Sequence, residues 1–196
     1  MEGNGISDKG LKVEWATVKD GLLHLGSIGK EFMTPNSQDT NLCWIGTMDQ
    51  HLSIHHLDWN HRYQKMREAT GTAFPGYLIH EAMQWSDVHR RWFALPRRVS
   101  AEPYDEILDE SRGSDVMIIA DEFFENLEVR HVGPAVEPTH GFSSFKFVPD
   151  TNDESEENAE AGTQNSYLTV FTSTGEVLME EVMVPGNYKY EGVEFF

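Results

Sequence analysis

Cysteine is nearly absent from this chain: Cys43 stands alone among 196 residues, which excludes an intrachain disulfide. A lone thiol fits a reducing compartment, and it equally fits an exported domain large enough to need no covalent staple. Basic residues are scarce, with 15 Lys and Arg against 33 Asp and Glu, for a formal net charge of −18. Such a surface repels a phosphate backbone and argues against nucleic-acid binding. It repels free phosphorylated ligands too, so handling one would require a cation or a local Arg cluster to reverse the field. No run of about 18 apolar residues occurs, and no membrane-spanning helix is expected. Residues 1–10 are polar and Gly-rich, lack the apolar segment of a signal peptide, and read as a polar leader. There is no Asn-x-Ser/Thr sequon.

What is present belongs to a soluble globular protein: 39% apolar, 24% charged and 11% aromatic residues, with five Trp. Long amphipathic helices are scarce. The spacing predicts one over 58–70, where Tyr63, Met66 and Ala69 share a face, with Asp58 to cap it and Gly71 to end it. Elsewhere short strands alternate with turn signals. Residues 11–18 and 22–28 flank Lys19-Asp20-Gly21, a hairpin signal of the Asp-Gly kind. Further strands are expected over 77–85, 91–95, 116–120, 127–132, 142–148, 167–172, 177–183 and 188–196, so the fold class is all-β. Two stretches interrupt this pattern. Residues 34–41 read as a polar loop, and 149–162, with six acidic side chains between Asp150 and Glu160, as a solvated acidic loop. Ser155 occupies the place where an EF-hand loop requires Gly, which excludes that calcium motif.

A weak internal repeat carries more information. Four segments set an oxygen-bearing side chain within an apolar strand: Lys12-Val13-Glu14-Trp15, Ile79-His80-Glu81-Ala82, Phe142-Ser143-Ser144-Phe145 and Tyr190-Glu191-Gly192-Val193. They recur at roughly 50–65 residues, a spacing that suits four-stranded β-propeller blades. The innermost strand of each blade faces a central channel, so Glu14, Glu81, Ser143 and Glu191 would converge there. Three carboxylates so gathered repel one another unless a cation lies among them. An all-oxygen, anionic set favours calcium over zinc. Against this stands the plain alternative that each Glu lies on a solvated strand face.

Other constellations are weaker. His51, His55, His56 and His61 cluster without a cysteine at ligand spacing, which gives little basis for a zinc site. Gly141-Phe142-Ser143-Ser144-Phe145 lacks the closing Gly of a nucleophile elbow. His80 beside Glu81 reads as an inward or supporting residue rather than a general base. Trp15, Trp85 and Trp92 can stack on a base or fill a core, and propeller aromatics more often do the latter.

Longer stretches carry a resemblance: Gly10-Leu11-Lys12-Val13-Glu14-Trp15, Gly29-Lys30-Glu31-Phe32, Pro75-Gly76-Tyr77-Leu78-Ile79-His80-Glu81, Leu95-Pro96-Arg97-Arg98, the run from Pro138 to Phe147, and Lys189-Tyr190-Glu191-Gly192. In this order, and over nearly the whole chain, the sequence resembles the calcium-activated nucleotidases, or soluble calcium-activated apyrases. The resemblance implies a five-bladed β-propeller with Ca2+ in its channel, of which residues 11–196 would form about three to four blades. It implies calcium-dependent hydrolysis of nucleoside di- and triphosphates such as UDP, GDP, ADP and ATP. It places Glu14, Glu81, Ser143 and Glu191 on calcium-ligand positions, Glu81 and Arg97 in catalysis, and Arg97, Arg98, Lys30 and Glu31 on the substrate. The family takes a further Ser-Asp pair from an earlier blade, and Ser7-Asp8 in the polar leader is not read as its equivalent. Secretory-pathway or extracellular residence and a calcium-linked homodimer are also implied. The alternative is a catalytically inactive, truncated propeller that serves as a calcium-binding or interaction module, and a lectin-like or protein-binding propeller is a more distant one.

Overall fold

The computed structural model of the chain describes residues 4–6, 11–33, 38–134, 137–151, 155–161, 165–186 and 190–195. Ser7-Asp8, and with them most of the leader, lie outside these residues.

Among the described residues fourteen strands and two α-helices, with a 3-10 turn at Asn41–Cys43 between β4 and β5, follow one another as β1 (Trp15–Lys19), β2 (Leu22–Gly26), β3 (Phe32–Met33), β4 (Gln38–Asp39), β5 (Trp44–Met48), β6 (Ile54–Asp58), α1 (Asn60–Ala69), β7 (Tyr77–Ser86), β8 (Arg91–Ser100), α2 (Glu106–Asp109), β9 (Val116–Ala120), β10 (Leu127–His131), β11 (Gly141–Phe147), β12 (Ser155–Ala161), β13 (Asn165–Phe171) and β14 (Val177–Met183). All pairing is antiparallel. Three four-stranded sheets result, ordered β1-β2-β5-β6, β7-β8-β9-β10 and β11-β12-β13-β14, with β3-β4 as a small ribbon. The all-β class is therefore observed.

The first hairpin is fixed by its turn. Asp20 (φ 50°) and Gly21 (φ 77°) both take left-handed backbone, which matches the right-handed twist of β1 and β2. A Cβ on Gly21 would meet nothing within 4 Å, so a side chain there is opposed by conformation alone. Gly21→Ala is expected to cost about 1 kcal/mol, read as a lower urea midpoint at unchanged slope. An unshifted midpoint would mean that the turn can change type freely.

Side-chain alternation then stacks the sheets face to face. Along β8, Trp92 and Ala94 face the first sheet, while Phe93 and Leu95 face the third. β9 divides in the same way, with Val116, Ile118 and Ala120 on one side and Met117 and Ile119 on the other. The middle sheet is thus covered on both faces, which is why residues 116–120 form an unbroken apolar run. Between the first two sheets Trp15, Trp59, Trp85, Trp92 and Phe124 form one aromatic cluster, with Trp59 and Trp92 edge to face at 5.0 Å. These indoles fill the core, as the plainer of the two readings had it. Between the second and third sheets Phe142, Phe145 and Phe171 pack on Phe93 and Leu95. β7 lies along β1: the Trp85 backbone amide donates to Thr17 Oγ1 (3.0 Å) and the Gln84 side-chain Nε2 to the Ala16 carbonyl (3.0 Å).

Helix α1 begins after Trp59, so Asp58 is not its cap. The Asp58 carboxylate instead accepts from the Asn60 amide (2.9 Å), and Gly71 (φ 71°) follows the last turn. The buried face is Tyr63, Met66 and Arg67, whereas Ala69 is exposed. Arg67 takes that place because its guanidinium pairs with Glu31 and donates to the Gly29 carbonyl (3.3 Å).

Three expectations are corrected. Within 149–162, read as a solvated loop, Ser155–Ala161 form β12, hydrogen-bonded to β11 and β13 along its length. Without it two neighbouring strands would present unpaired backbone groups, and backbone pairing needs no apolar side chain. Within the polar loop 34–41, Gln38–Asp39 pair with Phe32–Met33. The expected final strand is absent from residues 190–195, where Gly192 interrupts the pattern. There the Tyr190 amide donates to Ser166 Oγ (3.2 Å) and Lys146 pairs with Glu194 (2.9 Å). Among the described residues no helix is long and apolar enough to cross a membrane.

Candidate functional site

The first strand of the second and third sheets each carries one of the oxygen-bearing residues that the repeat singles out, and another stands just before the first strand of the first sheet. Glu14 directly precedes β1, and its amide donates to the Gly26 carbonyl (2.8 Å). Glu81 lies in β7 where the register shifts between His80 and Ala82, so it has no opposite partner on β8. Ser143 occupies the same kind of position in β11, between Phe142 and Ser144. Both are bulge residues, and a bulge re-aims one side chain out of the regular alternation. Sequence patterning does not announce a bulge, so this device could not be read in advance.

Glu14, Glu81 and Glu191 line one cleft of about 380 Å³. Ser143 is buried behind it, and its neighbour Ser144 stands on the lining. The carboxylates meet cations of the chain itself: Glu14 pairs with Lys12 (2.8 Å) and Glu81 with Arg97 (2.6 Å), while Lys146 on the same wall holds Glu194. Lys12, Lys146 and Glu194 were missed from sequence. The signal available was the Lys12-x-Glu14 spacing, which sets both side chains on one face of an extended segment. Among the described residues no three Asp, Glu, His or Cys side chains gather closely enough to hold a metal ion. That covers the histidines of 51–61 as well. The donor set of the cleft is nonetheless all oxygen and predominantly carboxylate, the chemistry that calcium takes.

Arg97 and Arg98 are neighbours within β8 but diverge. Arg97 reaches Glu81 in the cleft, whereas Arg98 is buried, donates to the Arg97 carbonyl (3.3 Å) and lies 3.8 Å from Asp109. Burial, with Arg97 nearby, lowers the Arg98 pKa. Gly141 makes this packing feasible, because a Cβ there would stand 2.4 Å from the Arg97 carbonyl oxygen. His80 is fully buried against Tyr63, and desolvation pushes its pKa down to about 3, so its ring is neutral and supports rather than titrates.

Lys30 and Glu31 are not on this cleft. They border a second cavity of about 250 Å³ with Phe32, Phe74, Tyr77 and Tyr104. The Glu31 carboxylate is committed to Arg67. The Lys30 ammonium stands over the rings of Phe32 (3.6 Å) and Tyr104 (4.0 Å).

Comparison with known proteins bears on what such a cleft serves. The family model described as Apyrase matches residues 1–196. The chain is 41% identical to apyrase apy-1 of Caenorhabditis elegans, in an alignment that covers 99% of this chain and 57% of that protein. It is 42% identical to soluble calcium-activated nucleotidase 1 of Rattus norvegicus (99% and 49%) and 40% identical to an apyrase of Cimex lectularius (99% and 55%). The chain spans about half the length of the curated relatives it matches.

Proposed function

The chain belongs to the apyrase family, and from that premise we propose that it contributes the calcium site and an anion-binding arginine to the hydrolysis of nucleoside di- and triphosphates, with release of phosphate. The observation that carries this reading is that Glu14, Glu81 and Glu191 line one cleft, with Arg97 against Glu81. A protein of net charge −18 needs local positive charge before it can hold a polyphosphate. A divalent cation held by Glu14, Glu81 and Glu191, with Ser143 behind them, would supply it. The name of the rat relative, a calcium-activated nucleotidase, favours calcium as that cation. Calcium, when bound, offsets the charge of the phosphoryl oxygens and orients water for attack. Arg97 offers a planar fork to a phosphate, and Arg98 holds the Arg97 backbone in place. The three stacked sheets are read as propeller blades whose first strands, β1, β7 and β11, face the channel. Substrates are proposed to be UDP, GDP, ADP and ATP, the setting the secretory pathway or extracellular space, and the assembly a homodimer.

Phosphate release from these four nucleotides, measured in calcium and then in chelator, tests the reading. Turnover that appears with calcium and vanishes with chelator is expected. A folded chain that binds calcium and releases no phosphate would favour the other reading, an inactive calcium-binding or interaction module. The absence of any three converging acidic side chains among the described residues is the observation on that side.

A further inference from the structure

Three of the four carboxylates that line the cleft face a cation of this chain. Glu14 faces Lys12 at 2.8 Å, Glu194 faces Lys146 at 2.9 Å and Glu81 faces Arg97 at 2.6 Å. The pairs differ in their surroundings. The Lys12 side chain is 80% exposed and that of Glu194 61%, so water screens both pairs and each holds little energy. Arg97 and Glu81 are only 16% and 17% exposed, and their attraction is screened far less. Arg97 is therefore the occupant that any other cation seeking Glu81 has to displace.

The rest of Arg97 is fixed. Gly141 lies against its stem, where a Cβ would stand 2.8 Å from Arg97 Cγ, and the Arg98 guanidinium donates to the Arg97 carbonyl (3.3 Å). A displacement is thus confined to the outer half of the side chain and its guanidinium. Glu81 is held as well, since the bulge between His80 and Ala82 aims its side chain. A carboxylate has two oxygens, so it can accept from a guanidinium on one while a cation approaches the other. The two positive charges then stand side by side on a wall that water reaches only in part, and they repel. Of the two, a divalent charge is drawn more strongly to Glu14, Glu81 and Glu191 together. The guanidinium is left beside the cleft with a planar fork and a new positive neighbour, and both favour a phosphate oxygen.

We propose that Arg97 is a latched anion ligand: Glu81 holds its guanidinium in the cation-free chain and releases it to a phosphate on taking up a divalent cation. The inference rests on the proposed function in setting the cation at the cleft and the phosphate at Arg97, and it adds the order in which the two bind. The latch lowers calcium affinity, because only chains that have already released Arg97 offer the whole of Glu81. It also withholds the anion site until the cation is in place.

Phenylglyoxal, which modifies accessible guanidinium groups, reads the latch directly on the full chain, with each arginine followed by tandem mass spectrometry. In chelator Arg97 should react slowly. Calcium should speed its reaction about tenfold, and inorganic phosphate added with the calcium should reverse that gain. The more exposed Arg91 and Arg130 should react alike in all three conditions. In Glu81→Gln the Arg97 reaction should already be fast in chelator. Calorimetry gives the reciprocal view: Arg97→Met, which keeps the stem and removes the competitor, should bind calcium about tenfold more tightly than wild type. A residue that merely braced the cleft would have the opposite effect. The proposal is overturned if calcium binds and leaves the Arg97 rate unchanged, if phosphate gives no protection, or if Arg97→Met binds calcium no more tightly. Calcium-dependent phosphate release with an unchanged Arg97 rate would remove the latch and leave the proposed function standing. A calcium-accelerated Arg97 rate without phosphate release would do the reverse, and a chain that binds no calcium would remove both.

Discussion

Glu81→Gln is expected to lower calcium-dependent phosphate release by about two to three orders of magnitude while leaving the fold intact. The substitution preserves the size of the side chain and its bulge position between His80 and Ala82. What it removes is a charge, with two consequences. The cleft loses one of the four carboxylates that line it, so calcium should be required at higher concentration. Arg97 loses the negative charge it faces at 2.6 Å, so its guanidinium is aimed less firmly. A glutamine oxygen can still accept from Arg97, and both side chains keep some exposure, so the stability cost should stay below about 2 kcal/mol. The measurements are phosphate release across a calcium titration and a thermal melt in chelator. Unchanged turnover at every calcium concentration would remove Glu81 from the site. A collapse of the melt would reassign it to structure.

The second large effect concerns stability. Arg67→Met should cost about 3–5 kcal/mol, since it strands a buried carboxylate. Arg67 is 4% exposed and Glu31 8%, and the pair ties helix α1 to the segment that leads into β3. The methionine keeps most of the volume, so the loss isolates the charge. The double variant Arg67→Met with Glu31→Gln should recover a large part of it, because no buried charge is then left unpaired. Urea unfolding of the four species gives the coupling directly. A single variant within 1 kcal/mol of wild type would mean that Glu31 turns to solvent when released.

How far the sequence could be read follows from what kind of signal each element leaves. Asp20-Gly21 announced the first hairpin because only a few residues tolerate two successive left-handed positions. The run Val116–Ala120 gave a strand with the bounds observed, since both of its faces are buried. β12 was hidden because its pairing is a property of the backbone, and its composition resembles that of a solvated turn. The repeat located Glu14, Glu81 and Glu191, which the fold brings to one cleft. The Lys12–Glu14 pair follows a local spacing, whereas the Lys146–Glu194 pair on the same wall belongs to tertiary placement that no periodicity encodes. Lys30 shows the opposite case: the motif Gly29-Lys30-Glu31 was legible, but it faces a different cavity from the one the motif was associated with.

The order of strands in the three sheets has a consequence for synthesis. Every strand pairs only with strands of its own sheet, and each sheet is complete before the first strand of the next is reached in the chain. A growing polypeptide can therefore finish one hydrogen-bonded layer while the following one is still inside the ribosome. Closure of such short loops is entropically cheap and fast. The layer exposed in that interval is the first sheet, whose Trp15 and Trp59 wait for Trp92 to arrive from β8. Trp92 thus works as a clasp whose arrival with β8 begins to join the second layer to the first. A slowed ribosome between residues 58 and 92 would lengthen the time those indoles stand uncovered, and with it the window for chaperone capture or aggregation.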